Sequence, residues 1–255
     1  MPDNIIAELK NVSLIYHEPQ RETKAVEGLD LVVKKGEFLA IVGPSGCGKT
    51  SVLGLLTGQM EPSKGSVTVL GGPPGESLGR IGYMLQRDEL LDWRTIERNV
   101  LLGLEVKGEL NERTRKKTLE MLDKYGLSEF RGHYPSALSG GMRQKAALIR
   151  TLAFSPELLL LDEPFSALDY QTRLTLEDEV RLIIKQGGYT AVLVTHDISE
   201  AISMCDRAAV FSSRPARVKK LFDIELTGSA FERRRDPRFA PLFDSIWKEL
   251  KNDER

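Results

Sequence analysis

The chain has 255 residues, of which 41% are hydrophobic and 29% charged, enough for one sizeable core and too few for two ordinary domains plus a membrane span. With 36 Lys and Arg against 37 Asp and Glu, the net charge is -1, which excludes bulk attraction to nucleic acid or anionic lipid. No uncharged apolar run approaches the roughly 18 residues of a spanning helix, the start carries no secretory signal pattern, and 2 cysteines make no disulfide framework, so the expected compartment is the cytosol.

Residues 7–16 and 28–33 alternate like half-buried strands, and Phe38-Leu39-Ala40-Ile41-Val42 reads as a strand buried on both faces. That strand breaks into Gly43-Pro44-Ser45-Gly46-Cys47-Gly48-Lys49-Thr50 and then a helical pattern to residue 57. Strand, glycine-rich loop and helix in this order fit G-x-x-x-x-G-K-[ST]. Loop N–H groups and the positive helix end converge on phosphate oxygens, Lys49 reaches the β- and γ-phosphates, and Thr50 holds Mg²⁺. A nucleoside triphosphate is the implied ligand, with Ser51 counted among its contacts and Cys47 read as a small filler. A Gly/Pro-rich stretch, 71–75, precedes one more strand-like run, 80–85. Helical spacing then takes over at 111–125 and 138–154, so 88–155 reads as a mainly helical insertion. Strand patterns return at 158–161 and 191–194 around a helical 174–185, which predicts that a parallel sheet resumes.

The Leu158–Leu161 run delivers Asp162 and Glu163 at a strand's carboxyl end, where open α/β sheets bind ligands. Asp162 would complete the Mg²⁺ shell and Glu163 would orient or deprotonate a water aimed at the γ-phosphate. His196 follows the next such strand; alone it would read as a satisfied core histidine, and beside the γ-phosphate it reads as a polar contact. Ser139 is an N-cap whose following Gly140 and Gly141 leave the first helical N–H groups uncovered. Standing alone, that is an ordinary capped helix; it is also a second phosphate-ready helix end.

Leu138-Ser139-Gly140-Gly141-Met142-Arg143-Gln144, with the phosphate loop and the leucine-rich Asp-Glu strand, resembles the signature of ATP-binding-cassette (ABC) ATPases over residues 9–213 or so. The resemblance implies an α/β fold: a P-loop NTPase (RecA-like) core with a mainly parallel sheet, an N-terminal antiparallel β region and an inserted helical subdomain. The core would comprise 1–87 and 156–227, the helical subdomain 88–155, and an amphipathic helical tail 228–255. It implies ATP and Mg²⁺, with Tyr16 stacked on adenine, Gln86 sensing Mg²⁺ and a membrane partner, and His196 at the γ-phosphate. Asp169 would belong to a turn, with Ser166, Ala167 and Leu168, that crosses between subunits. Ser139, Gly140, Gly141 and Gln144 would meet the ATP of a second cassette, since the chain has one copy of each motif.

Within the family, that heptad, the stretch from Gln86-Arg87-Asp88 to Trp93-Arg94-Thr95, and Ser212-Ser213-Arg214-Pro215 look like importer cassettes of the nitrate/sulfonate/taurine class. Asp92 stands where that class often has proline. This resemblance implies a permease, an extracytoplasmic solute-binding protein beyond it, a peripheral place on the cytoplasmic membrane face, and no nucleic acid. Leu90, Leu91 and Trp93 read either as a groove for a permease helix or as packing inside the insertion. Two other classes compete. A non-transport cassette acting on DNA or ribosomes would usually carry tandem cassettes, coiled-coil arms or zinc insertions, and a P-loop kinase has no use for the signature heptad.

In the tail, Phe239, Leu242, Phe243, Ile246, Trp247 and Leu250 repeat at helical spacing, predicting over 237–251 an amphipathic helix docked on its own core. Arg233, Arg234, Arg235 and Arg238 read as a solvated basic face, with lipid headgroups as the alternative contact. An additional regulatory domain after the cassette is not expected.

Overall fold

Strands β1 (Ile5–Glu18) and β2 (Arg21–Lys34) open the chain as an antiparallel pair in the computed structural model, which describes residues 4–18 and 21–251. Strand β4 (Lys64–Val69) joins the other edge of β1, giving a three-stranded sheet in the order β2-β1-β4. Both opening strands are longer than their alternation predicts. Register shifts between Leu9 and Val12 and again to Leu14 break the period of two, as β-bulges do, and the first residues of β2 are exposed and polar.

The larger sheet has six strands in the order β5-β6-β7-β3-β8-β9: β3 (Phe38–Val42), β5 (Ile81–Met84), β6 (Leu158–Asp162), β7 (Thr190–Thr195), β8 (Arg207–Phe211) and β9 (Val218–Asp223). All pairings are parallel except β8 with β9. The unbroken apolar runs of β3, β6 and β7 follow from burial on both faces. Phe38, Ala40 and Val42 enter one core, with Leu159, Leu161 and Leu193, while Leu39 and Ile41 enter the other, with Leu158, Leu160 and Val192. The second core is closed by α1 (Lys49–Leu56) and the three-stranded sheet.

The first core is covered by α2 (Ile96–Val106), α3 (Glu112–Lys124), α4 (Gly140–Leu152), α5 (Tyr170–Gly187) and α6 (Ile198–Met204). Helices α2 to α4 all lie between β5 and β6 in sequence. Thr95 caps α2, and Asn111 forms a reciprocal capping box with Thr114 at the start of α3. Helix α5 ends on Gly188 in the left-handed region. Leu90 is 8% exposed and joins the main core, Leu91 is half-buried, and Trp93 is 75% exposed. The three do not form one exposed cluster, because Asn99 folds the 91–95 segment onto α2 through bonds to Leu91 N, Leu91 O, Arg94 O and Thr95 O.

After β9 come α7 (Ala230–Arg234) and α8 (Phe239–Lys251). Helix α8 docks as its spacing predicts, with Ile246 fully buried and Phe239, Leu242, Phe243 and Leu250 packed against the main core. The basic face is corrected at Arg233 and Arg234, whereas Arg235 and Arg238 are exposed as expected. Arg233 is 0% exposed and donates to the carbonyls of Ser203 (3.2 Å), Cys205 (2.8 Å) and Ile224 (3.4 Å). Arg234 pairs with the buried carboxylate of Glu177, and Arg238 with Asp236 at 2.7 Å. Counting charges gave the wrong surface because the carbonyls that end α6 lie buried and need a donor. Burial lowers the Arg233 guanidinium to about 10. Arg233→Ala would strand those carbonyls and should lower unfolding free energy by about 3 kcal/mol in chemical denaturation. Arg235→Ala, at an exposed residue over the Phe231 ring, should change it by less than about 0.5 kcal/mol.

Candidate functional site

The chemistry-bearing residues collect where β6, β7 and β3 end side by side. Parallel register sets Val42 opposite Thr195 and Asp162 opposite Val194, so the phosphate loop after β3, the acids after β6 and His196 after β7 share one sheet edge. Residues 43–48 leave β3 as a tight loop. A Cβ on Gly43 would sit 2.9 Å from Cys47 Sγ, and one on Gly48, at φ 122°, 2.7 Å from the Ala25 carbonyl oxygen. Only glycine fits at Gly48. Cys47 is buried as a filler. Lys49 is 5% exposed, and its ammonium donates to the carbonyls of Gly43 (2.8 Å) and Pro44 (3.0 Å).

Thr50, on the first turn of α1, donates to Asp162, and Tyr83 on β5 donates to the same carboxylate at 3.3 Å. Burial raises the Asp162 carboxyl, and the neighbouring Glu163 adds to the rise. A buried carboxylate beside a hydroxyl is an all-oxygen donor pair suited to Mg²⁺, and a cation there would reverse the rise. The residues therefore fit a magnesium ion.

Glu163 is a non-glycine residue with φ 45°, a conformation that stores strain where function needs a sharp turn. Its N–H donates to Val194 O at 2.9 Å, and its Oε2 lies 3.1 Å from His196 Nδ1. Acid and imidazole thus face each other across two strand ends. Gln86 Nε2 donates to Ser166 Oγ at 3.2 Å, and Ser166 Oγ donates to Glu163 O at 3.0 Å. Tyr16 is half-buried, its hydroxyl 2.9 Å from Ser51 Oγ, which ties the three-stranded sheet to the phosphate-loop helix.

The signature residues stand apart from this cluster. Ser139 caps α4, accepting from Met142 N at 3.4 Å. A Cβ on Gly141 would meet Thr172 Cγ2 at 2.5 Å, and Asp169 caps α5 by accepting from Thr172 N at 3.0 Å. The start of α4 and the Asp169 turn are therefore neighbours, and no hydrogen bond among the described residues links either to the phosphate loop. Gln144 connects the two regions, donating to Gln86 O at 3.4 Å. Arg143 bonds Asp88 at 3.1 Å, and Arg150 donates to Asp88 O (2.7 Å) and Glu89 O (2.6 Å).

Sequence reasoning missed Tyr83, Thr195, Glu200 and Arg214. Thr195 Oγ1 donates to Glu200 Oε2 at 2.6 Å and accepts from Asp197 N at 3.0 Å, bracketing His196 on both sides. The D-x-x-E spacing of Asp197 and Glu200 signals a capping box, but the Glu200 carboxylate turns inward to Thr195 instead. Arg214 reaches Gly46 from the loop between β8 and β9.

A glycine-rich loop opening a helix beside buried acids, on a mainly parallel sheet, defines a nucleotide-binding ATPase core. A family model described as ABC transporter matches residues 26–166. An uncharacterized ABC transporter ATP-binding protein of Bacillus subtilis, YtlC, is 47% identical over 248 residues, spanning 96% of this chain and 95% of that one. Taurine import ATP-binding protein TauB of Pelagibacter ubique is 36% identical over 253 residues, spanning 96% and 95%. A dimeric structure of an ATP-binding cassette in a post-hydrolysis state, bound to ADP and Pi, matches with TM-score 0.74 and 30% identity over 87% of this chain and 100% of that one. The chain belongs to the ABC transporter ATP-binding family and is an ATPase.

Burial pushes the Glu200 carboxyl up to about 7 from 4.5, reinforced by Glu177 and Asp197 and opposed by Thr195 and Arg173. The folded state thus holds this proton more tightly than the unfolded state, so stability present below pH 4.5 is lost as pH rises through 7. Between pH 5 and pH 8 the loss attributable to this group is about 2 kcal/mol. Glu200→Gln, which cannot ionise, should remove that part of the slope when denaturation midpoints are compared at the two pH values.

Proposed function

We propose that this chain powers solute uptake as the ATPase subunit of an ABC importer, working as a head-to-tail pair of cassettes around two MgATP. One observation carries the reading. The capped, glycine-opened start of α4 is an anion-ready helix end that its own phosphate loop does not use, so its phosphate belongs to a second copy. The dimeric form of the solved ADP-bound relative supports this, as do the import names of TauB homologues at 36% and 39% identity.

Lys49 leaves the loop carbonyls to neutralise β- and γ-phosphate charge, and Tyr16 offers its ring to adenine. Thr50, Asp162 and Gln86 would hold Mg²⁺, which when bound offsets charge on the β- and γ-phosphates. Glu163 takes a proton from the attacking water as its oxygen approaches the γ-phosphorus, while His196 holds Glu163 in place and contacts the γ-phosphate. Ser139, Gly140, Gly141, Gln144 and Asp169 close the site from the second copy. After the β–γ bond breaks, ADP and phosphate leave and the pair opens.

No helix among the described residues is long and apolar enough to cross a membrane, so passage falls to a separate permease, which holds the chain at the cytoplasmic face and receives solute from an external binding protein. A nitrate-, sulfonate- or taurine-like solute follows from the relatives. An apolar hollow lined by Leu78, Tyr83, Leu102, Val106 and Phe154 suits a short permease helix, with Leu78 55% and Val106 80% exposed.

Glu163→Gln should retain ATP binding, lose at least about 100-fold in turnover, and elute as an ATP-bound dimer on a sizing column. Lys49→Ala should fail at nucleotide binding. Normal hydrolysis by Glu163→Gln would remove Glu163 as the base. Val106→Glu should keep soluble ATPase activity and lose permease co-purification in mild detergent.

A further inference from the structure

The loop between β8 and β9 grips the phosphate loop from outside. Arg214 directs two donors at one acceptor, Nη2 at 2.7 Å and Nε at 3.1 Å from the carbonyl oxygen of Gly46. The other end of that peptide unit is also held, because Cys47 N donates to Pro44 O at 3.3 Å. Gly46 has φ 72°, and a peptide beside a glycine flips with little steric penalty. A flip would turn the carbonyl inward, toward the phosphates, and weaken a cradle built from N–H groups.

The loop that carries Arg214 is itself anchored. Ser212 N donates to Arg217 O and Arg217 N to Ser212 Oγ, each at 3.0 Å. Ala216 exchanges hydrogen bonds with β2, its N–H to Ala25 O at 2.8 Å and its carbonyl from Glu27 N at 3.1 Å, and Arg217 pairs with Glu27. Ala25 O and the Ala216 side chain are also the groups that confine Gly48. One braced loop therefore touches the phosphate loop at Gly46 and Gly48 and joins it to the sheet that carries Tyr16.

We propose that Arg214 is a positioning residue for triphosphate binding, locking the Gly46–Cys47 peptide with its carbonyl outward so that the loop meets phosphate already formed. The proposal rests on the phosphate loop binding MgATP. Preorganisation of this kind shows in affinity rather than in the chemical step.

The test is MgATP titration by calorimetry, together with steady-state ATPase assays, on the wild type, Arg214→Ala, Arg214→Lys and Lys49→Ala. Arg214→Ala should raise Kd and KM for ATP about five- to tenfold and change kcat by less than about twofold. Its thermal midpoint should stay within about 2 °C, since the side chain is exposed. Arg214→Lys, with one donor reaching the carbonyl, should recover part of the affinity. A Kd for Arg214→Ala within twofold of wild type would overturn the proposal, as would a fall in kcat at unchanged KM. Full recovery by Arg214→Lys would reduce the residue to its charge and overturn the two-donor grip. Wild type binding no better than Lys49→Ala would instead remove the nucleotide site, and the proposal with it.

Discussion

Everything at the site depends on the register of three adjacent parallel strands. β6, β7 and β3 are buried on both faces, so their side chains are committed to one core or the other and cannot slip by a residue without inverting every one. Fixing Val42 against Thr195 and Asp162 against Val194 brings three separate stretches of chain to one level. The polar residues that follow are where the apolar pattern stops, and they inherit its precision. Strain at Glu163 is tolerated because its N–H is held by Val194 O, the strand beside it.

Helix α4 links this rigid edge to the helical region. Three of its side chains, Arg143, Gln144 and Arg150, hold the backbone or side chains of residues 86–89, and its first turn packs on Thr172 beside the Asp169 cap. A displacement of α4 is thus passed to Gln86 on one side and to the Asp169 turn on the other. Gln86 in turn reaches Glu163 through Ser166. A continuous set of hydrogen bonds therefore joins the helical region to the acid at the strand end.

Much of this was legible in the sequence, and the illegible parts have physical reasons. β3, β6 and β7 announce themselves as unbroken apolar runs, and the phosphate loop by a spacing that few other constraints produce. The family, the α/β class and the placement of α4 and α8 followed. β4, β8 and β9 did not, because Gly65 in β4 and Lys219 and Lys220 in β9 blur any alternation, and the apolar run of β8 opens on Ala208 and Ala209, which favour strands weakly. Arg233 misled for a different reason. A run of arginines looks solvated until the carbonyls that one of them serves are known, and those lie at the end of α6 and just after β9, brought together only by the fold. Tyr83 and Arg214 escaped in the same way, each acting on a partner that only the topology brings near, whereas Glu200 escaped because its spacing from Asp197 reads as a helix cap and not as a bond to Thr195.

Arg233 also changes what counts as the ATPase. Helix α6 begins two residues after His196, capped by Asp197, and its last carbonyls are held by Arg233 and by Arg181. The helix that carries the histidine turn is therefore clamped at its far end from α7, beyond every sequence motif. A fragment cut after the β8–β9 hairpin would contain all the recognisable nucleotide-binding elements, yet the helix that follows its histidine turn would keep Arg181 on Met204 O and lose the Arg233 donors to the Ser203 and Cys205 carbonyls. The smallest unit of this fold that can hold its own chemistry still is longer than the set of residues that defines it.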